Sequence, residues 1–293
     1  VETDQQICLP DERHLGFSVV GEGVPVLYFH GTASSRLEIL LLKKFAQAKG
    51  FQIIGVDRPG YGLSTFAPMR RLRDFAADVN YFMAHLGFEK FALLAWSGGG
   101  PFGLTTVALF PERVTKAVIV GSPALPFDVA TAHNNSLARF AMKIPALGMW
   151  GLKRFRAEIL MANKDINAFL KSRNGRKMVK SWPKKDAKFF ADPSWLGLMY
   201  GSMAEGFKQE NESVKAVFQE HQLFTKPWAE PISLIPPDKV CFWHGTEDIT
   251  CRVDNAYRLV EAVPNACLEV FDGEGHCAMF DNFEKLGEQL GLK

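Results

Sequence analysis

The chain has 293 residues, 47% of them hydrophobic and 23% charged, with a formal net charge of +2. That balance excludes a disordered chain, and 25 Gly are too few and too irregular for a collagen-like one. A chain of this length can bury about 75% of the surface it exposes unfolded, so one large unit carrying an elaboration is expected.

The first two apolar pieces, 7–10 and 16–20, lie too close in sequence for a helical crossover and read as an antiparallel pair at a sheet edge. Short apolar runs at 26–30, Phe51–Val56, Phe91–Trp96 and 114–121 then read as strands, with helical spacing at 37–49, 72–86 and 99–110 between them. Strand–helix alternation of this kind predicts a mostly parallel sheet covered on both faces. From 123 to 228 no β-branched strand is legible, and Leu, Met, Ala, Lys and aromatic residues favour several helices. A connection of 106 residues is far longer than ordinary loops and implies a structured insertion. The rhythm resumes with strands at 239–243 and Cys267–Phe271 and helices at 253–262 and 283–290. The expected architecture is α/β: an eight-stranded, mostly parallel sheet with its core in 1–122 and 229–293 and a helical cap, 123–228, inserted after the sixth strand.

Charge is uneven along this plan. Between 139 and 188, fourteen Lys or Arg stand against Glu158, Asp165 and Asp186. A solvated helix face is the plain reading, and a surface drawn to anionic substrates or lipid head groups is the functional one. Cys8, Cys241, Cys251, Cys267 and Cys277 are odd in number and lack C-x-x-C spacing, which indicates neither a zinc site nor a full disulfide set. No stretch approaches the roughly 18 uninterrupted apolar residues of a membrane span, and the first residues lack a basic then apolar leader pattern. The expectation is a cytoplasmic protein without metal, cofactor or nucleic-acid partner.

The sharpest local signal is Ala95-Trp96-Ser97-Gly98-Gly99-Gly100, where a buried strand passes into a helix. A serine on so tight a turn needs small residues two positions to either side, and Ala95 and Gly99 meet that need. The turn lifts the Ser97 hydroxyl above the sheet at a helix N-terminus, where developing negative charge is favoured.

A serine hydroxyl needs a base. Gly273-Glu274-Gly275-His276 follows the last strand, which puts His276 at the same end of the sheet as Ser97. Of the other histidines, His30 and His244 each precede Gly at a strand end and read as loop-shaping; His14, His85 and His133 sit in edge, helix or cap contexts, and His221 is a weaker candidate for substrate contact. The imidazole in turn needs a carboxylate to fix its tautomer. Asp248, shortly after strand 239–243, is the natural acid; Glu247 is the register alternative, Asp254 belongs to a first helical turn, and Asp128 is the candidate if the acid follows the strand before the cap. Two backbone donors for an oxyanion are expected from Gly98 and from the loop His30-Gly31-Thr32-Ala33-Ser34-Ser35, with Thr32 preferred and Gly31 the one-residue slip.

Together these residues resemble the α/β-hydrolase superfamily, specifically its cap-bearing serine hydrolases. The resemblance spans the chain: His30-Gly31, Asp57-Arg58-Pro59-Gly60-Tyr61-Gly62-Leu63-Ser64, the turn around Ser97, His244-Gly245 with Asp248, and Gly275-His276, in the superfamily's order Ser, Asp, His. It implies structural roles for Asp57 and Arg58. Ala95 departs from the usual first glycine, the triple-glycine oxyanion loop of many lipases is absent, and a serine nucleophile disfavours aspartyl-ester chemistry. The implied activity is cleavage of a carboxylic ester through an acyl-enzyme formed on Ser97. Carbon–carbon or lactone hydrolysis uses the same three residues, and a catalytically silent binding protein is the alternative of another class. Apolar cap residues, among them Phe140, Met142, Trp150, Phe155, Trp182 and Trp195, suit an ester with an apolar moiety, although packing of the cap on itself accounts for most of them.

Overall fold

The computed structural model describes residues 2–68, 70–127 and 144–291. Eight strands form one sheet in the order β1-β2-β4-β3-β5-β6-β7-β8. Strands β1 (Glu2–Cys8) and β2 (His14–Val20) are antiparallel, as their spacing predicts, and β2 also meets β4 (Phe51–Val56) antiparallel. The rest, β3 (Val24–Phe29), β4, β5 (Phe91–Trp96), β6 (Val114–Val120), β7 (Val240–Gly245) and β8 (Cys267–Phe271), run parallel. All residues of β5 and β7 are buried, which is why their sequences are continuous apolar runs without alternation. The first strand begins earlier than the apolar signal at 7–10 because it lies at the sheet edge, where alternate side chains face solvent.

Predicted helices fall at α1 (Lys43–Lys49), α2 (Leu72–His85), α3 (Gly100–Leu109), α10 (Asp254–Ala262) and α12 (Phe283–Gln289). The 37–49 segment differs in detail: Arg36–Leu42 winds as a 3-10 helix before α1 begins. Between β6 and β7 the described residues form six helices: α4 (Pro145–Lys164), α5 (Ile166–Lys171), α6 (Arg173–Ser181), α7 (Lys184–Ala191), α8 (Pro193–Gly206) and α9 (Asn211–Phe224). The short α11 (Ala278–Asp281) has no counterpart in the predicted elements. Asp128, His133, Arg139, Phe140, Met142 and Lys143 lie outside the described residues.

Cap aromatics mostly pack the cap onto the core. Trp182 stacks on Phe190 at 4.0 Å, Phe190 meets Trp195 at 5.2 Å, Trp195 meets Phe280 at 5.5 Å and Phe280 meets Trp96 at 5.3 Å. This chain of rings runs from the cap to the residue before Ser97. Trp150 and Phe155, by contrast, are exposed.

Cys241 and Cys267 face each other in register on β7 and β8 and are joined by a disulfide, while Cys8, Cys251 and Cys277 are free. The sequence carried no sign of this pair, because only the strand register brings together residues 26 apart. Among the described residues no helix is long and apolar enough to cross a membrane, and no group of three metal-ligating side chains assembles.

Candidate active site

Ser97 stands at the C-terminal end of β5 with φ +54°, in the left-handed region that a non-glycine residue enters at a cost of about 1–3 kcal/mol. Close packing around the turn enforces that conformation. A Cβ on Gly99 would run into the Phe29 carbonyl oxygen, and one on Gly98 would run into the Thr32 hydroxyl. Only glycine at these two positions lets the turn sit against the end of β3, and α3 then starts directly behind it.

His276, in the loop after β8, is brought to this turn by Trp96. The Trp96 indole Nε1–H donates to the His276 carbonyl at 2.9 Å, and the two rings lie 5.4 Å apart. His276 Nδ1 lies 2.7 Å from Asp248 Oδ2, with both residues buried. The other Asp248 oxygen accepts the Thr250 and Cys251 amides at 2.7 and 2.9 Å, so the carboxylate is fixed from two sides. Burial opposes charge on both groups. Facing each other, they nonetheless hold the Asp248 carboxyl below its ordinary range and the imidazole above its own.

Glu247 and Asp254 are exposed, which removes them as partners of this imidazole. Gly121, just beyond β6 at φ +53°, was not singled out in sequence. A Cβ there would lie 2.9 Å from His276 Nδ1 and 3.2 Å from Asp248 Oδ2, so the pair crosses the end of β6 over a residue that must have no side chain.

The loop after β3 lies beside the turn: a Cβ on Gly31 would approach the Ser97 Cβ to 3.6 Å. The Gly31 N–H is already committed, donating to Glu38 Oε2 at 2.9 Å. Among the described residues the Thr32 N–H has no acceptor, and it lies 3.1 Å from where a Gly98 Cβ would be. Of the two amides open in the sequence, Thr32 is therefore the one left to receive an oxyanion with Gly98.

Buried charges brace this loop from below and from the cap. Arg58 donates to the His30 and Gly31 carbonyls at 2.5 and 3.1 Å and pairs through Nε with Glu220 of α9 at 2.8 Å. Glu220 also accepts the Thr32 hydroxyl at 2.7 Å and the Tyr61 hydroxyl at 3.0 Å. Asp57 accepts the Arg36 amide at 2.7 Å, the Arg36 guanidinium at 2.9 Å and the Leu63 amide at 2.8 Å. Both members of the Asp57-Arg58 pair thus hold neighbouring loops, in keeping with the role that the family resemblance implies. His30 and His244 also shape loops: His30 Nδ1 lies 2.8 Å from the Gly31 carbonyl and His244 Nε2 lies 2.5 Å from that of Cys251, and burial pushes both imidazoles down. His221 Nδ1 turns back onto the Val217 carbonyl of its own helix at 2.8 Å.

Glu38, Glu220 and Asp186 are three buried acids at this site that sequence reasoning missed. Each had a faint signal: Glu38 is the lone charge in Leu37-Glu38-Ile39-Leu40-Leu41-Leu42, and Asp186 the lone acid in Lys184-Lys185-Asp186-Ala187-Lys188. Nothing comparable marks Glu220.

Comparison with known proteins identifies the family of the fold. The model of the alpha/beta hydrolase fold family matches residues 24–283. The uncharacterized hydrolase YcgS of Bacillus subtilis (strain 168) is 26% identical over 185 residues, 55% of this chain and 65% of that protein. The sn-1-specific diacylglycerol lipase ABHD11 of Danio rerio is 26% identical over 132 residues, 44% of this chain and 42% of that protein. The chain thus spans less than two thirds of the length of these relatives. Among solved structures, an alpha/beta hydrolase fold protein from Nakamurella multipartita superposes with a TM-score of 0.68 at 20% identity, covering 98% of each chain. The esterase RhEst1 from Rhodococcus sp. ECU1013 follows at 0.66 and 19%, covering 99% of this chain and 100% of that one. With the matched model taking in six of the eight strands, β3 to β8, and both candidate loops, the chain belongs to the alpha/beta hydrolase fold family.

Proposed function

We propose that the protein is a serine hydrolase that cleaves a carboxylic ester through an acyl-enzyme intermediate. The observation that carries this reading is the buried His276–Asp248 pair, 2.7 Å apart and packed against Trp96, the residue before Ser97. Ser97 Oγ attacks the ester carbonyl while His276 Nε2 takes its proton. Asp248 holds the proton on Nδ1 and stabilises the imidazolium, and the Gly98 and Thr32 amides receive the oxyanion. Collapse expels the alcohol, which takes its proton from His276. Water, deprotonated by the same imidazole, then releases the acid. No step calls for a metal or cofactor.

The lipase relative supports an ester bond, and a proline iminopeptidase of Xylella fastidiosa (strain 9a5c), 21% identical over 93% of this chain, keeps an amide bond as the alternative to test. A panel of p-nitrophenyl esters of graded chain length, run beside a proline amide, an epoxide, a lactone and a vinylogous diketone, tests the assignment. Esters are expected to be turned over fastest. Faster cleavage of any of the others reassigns the bond.

The base must be neutral to act, and its pKa is held above the ordinary imidazole value: burial pushes it down, but Asp248, Asp186 and Glu38 more than offset that. The acid limb of kcat/KM against pH is therefore expected above the ordinary histidine range of about 6.5. A limb at or below that range contradicts the charge arrangement.

The cap's basic face carries a second part of the proposal, contact with an anionic lipid surface. Lys185 and Lys188, which lie in that run, are engaged with Glu274 at 3.5 Å and Asp281 at 2.5 Å. Lys164, Lys171, Arg173, Lys177, Lys180 and Lys184 are exposed and have no carboxylate within ion-pair reach among the described residues. On α4 Met161 is exposed and lines one cavity with Lys177. Reversing Lys177 and Lys180 to Glu is expected to weaken salt-sensitive sedimentation with phosphatidylserine vesicles and leave ester turnover in solution unchanged. Unaltered sedimentation reduces the face to a solvated one.

A further inference from the structure

Asp186 belongs to the cap, on α7, yet its carboxylate is buried against the loop that carries His276. Its Oδ2 accepts the backbone N–H of His276 at 2.7 Å, and its Oδ1 accepts that of Cys277 at 3.1 Å. The fit leaves no slack. A Cβ on Gly275 would collide with the Asp186 carboxylate, so glycine before the histidine is what lets the acid reach both amides. The same helix is tied at its edges by Lys185 to the Asp272 carbonyl and Glu274 carboxylate of this loop at 3.3 and 3.5 Å, and by Lys188 to Asp281 of α11 at 2.5 Å.

His276 is therefore held by two acids from different parts of the chain. Asp248 fixes its ring from β7, and Asp186 fixes its backbone from the cap. A carboxylate with two good acceptor oxygens suits two adjacent N–H donors better than any other side chain does, because both donors are otherwise buried without partners.

We propose that Asp186 is a positioning residue for the reaction: by accepting the His276 and Cys277 amides it sets the place of the base, so that the cap completes the catalytic apparatus as well as covering it. This inference rests on the reading of His276 as the general base. Asp186 touches no reacting atom. It acts through the loop and through its negative charge. The titratable groups that face His276 are Asp248 and His244 from the β7 end, Glu38 from the 3-10 turn after β3, and Asp186 from α7. Each of the three acids holds the imidazole pKa up, so loss of one lowers it.

The test is Asp186→Asn, assayed on a short-chain p-nitrophenyl ester across pH. The two donors are taken by different oxygens of Asp186, so in asparagine one of the two positions becomes an NH₂ that meets an N–H. The expected result is a fall in kcat of about 10- to 100-fold with KM changed less than about threefold, since misplacement of a reacting group by about 1 Å costs that much. The acid limb of kcat/KM moves to lower pH, a readout that a purely structural residue does not shift. Lys188→Gln, on the same helix but remote from the His276 amide, is expected to keep kcat. Wild-type kcat with an unmoved limb in Asp186→Asn overturns the proposal, and so does an equal loss in Lys188→Gln, which assigns the effect to cap docking in general. If Asp186→Asn does not fold, Asp186→Glu carries the test: the charge stays and the carboxylate shifts by one methylene, so kcat falls with the limb in place, and full kcat overturns the proposal. His276→Ala separates the two readings. Its retention of activity removes the base assignment itself, whereas its loss of activity beside an unaffected Asp186→Asn removes only the role of the cap.

Discussion

Ser97→Ala is expected to fold as the wild type and to lose ester turnover by on the order of 10⁶ in kcat, the scale on which removal of a triad nucleophile acts. Stability is expected to change little because alanine enters the left-handed region at φ +54° no less easily than serine does. Among the described residues the Ser97 hydroxyl makes no hydrogen bond, to His276 or to the rest of the fold, so its removal takes none away. A thermal melt and a p-nitrophenyl acetate assay on the same preparation check both halves. Activity that persists together with an unchanged melt moves the nucleophile elsewhere.

Asp248→Asn is expected to cost on the order of 10⁴ in kcat while leaving the fold intact. The two oxygens of Asp248 have separate duties. Oδ1 takes the Thr250 and Cys251 amides, and an asparagine carbonyl can keep both of these. The other position, 2.7 Å from His276 Nδ1, then holds an NH₂. A donor facing Nδ1 forces the proton onto Nε2, the tautomer that cannot accept from Ser97, and the imidazolium loses its buried counter-charge. The side chain is fully buried, so water does not replace that charge. Asp248→Asn with near-wild-type kcat returns the search for the acid to Asp128.

Both substitutions were legible in sequence because their chemistry is written locally. Ser97 lies between a strand of buried apolar residues and three glycines, and His276 and Asp248 each follow a strand by a few positions, where the parallel topology collects loop residues at one end of the sheet. The preference for Thr32 over Gly31 had no physical ground in the sequence. It depends on Glu38 taking the Gly31 amide, a contact between residues seven apart that no periodicity reveals. Glu220 and Asp186 were hidden for a stronger reason. Each acts 90 or more residues away, Glu220 on Arg58 and Thr32 and Asp186 on His276, through a cap whose docking is set by aromatic packing rather than by a motif. In the basic cap segment, the surplus of lysine and arginine concealed that Lys185 and Lys188 are spent on holding the cap down.

A consequence for the architecture is that the cap supplies two buried carboxylates to opposite halves of the candidate site. Glu220 braces the oxyanion loop through Thr32 and Arg58, and Asp186 braces the loop of the base. Burying either acid without its partners is costly, at several kcal/mol per unpaired charge. The closed arrangement is therefore the one in which all of these groups are satisfied together.

Treating the folded protein with a fluorophosphonate and mapping the adduct by peptide mass spectrometry shows whether Ser97 is the nucleophile activated by His276. A single stoichiometric adduct is expected on Ser97, abolished in Ser97→Ala and slowed in His276→Ala. A folded, active protein that carries no adduct on Ser97, or carries it on another residue, has a different nucleophile.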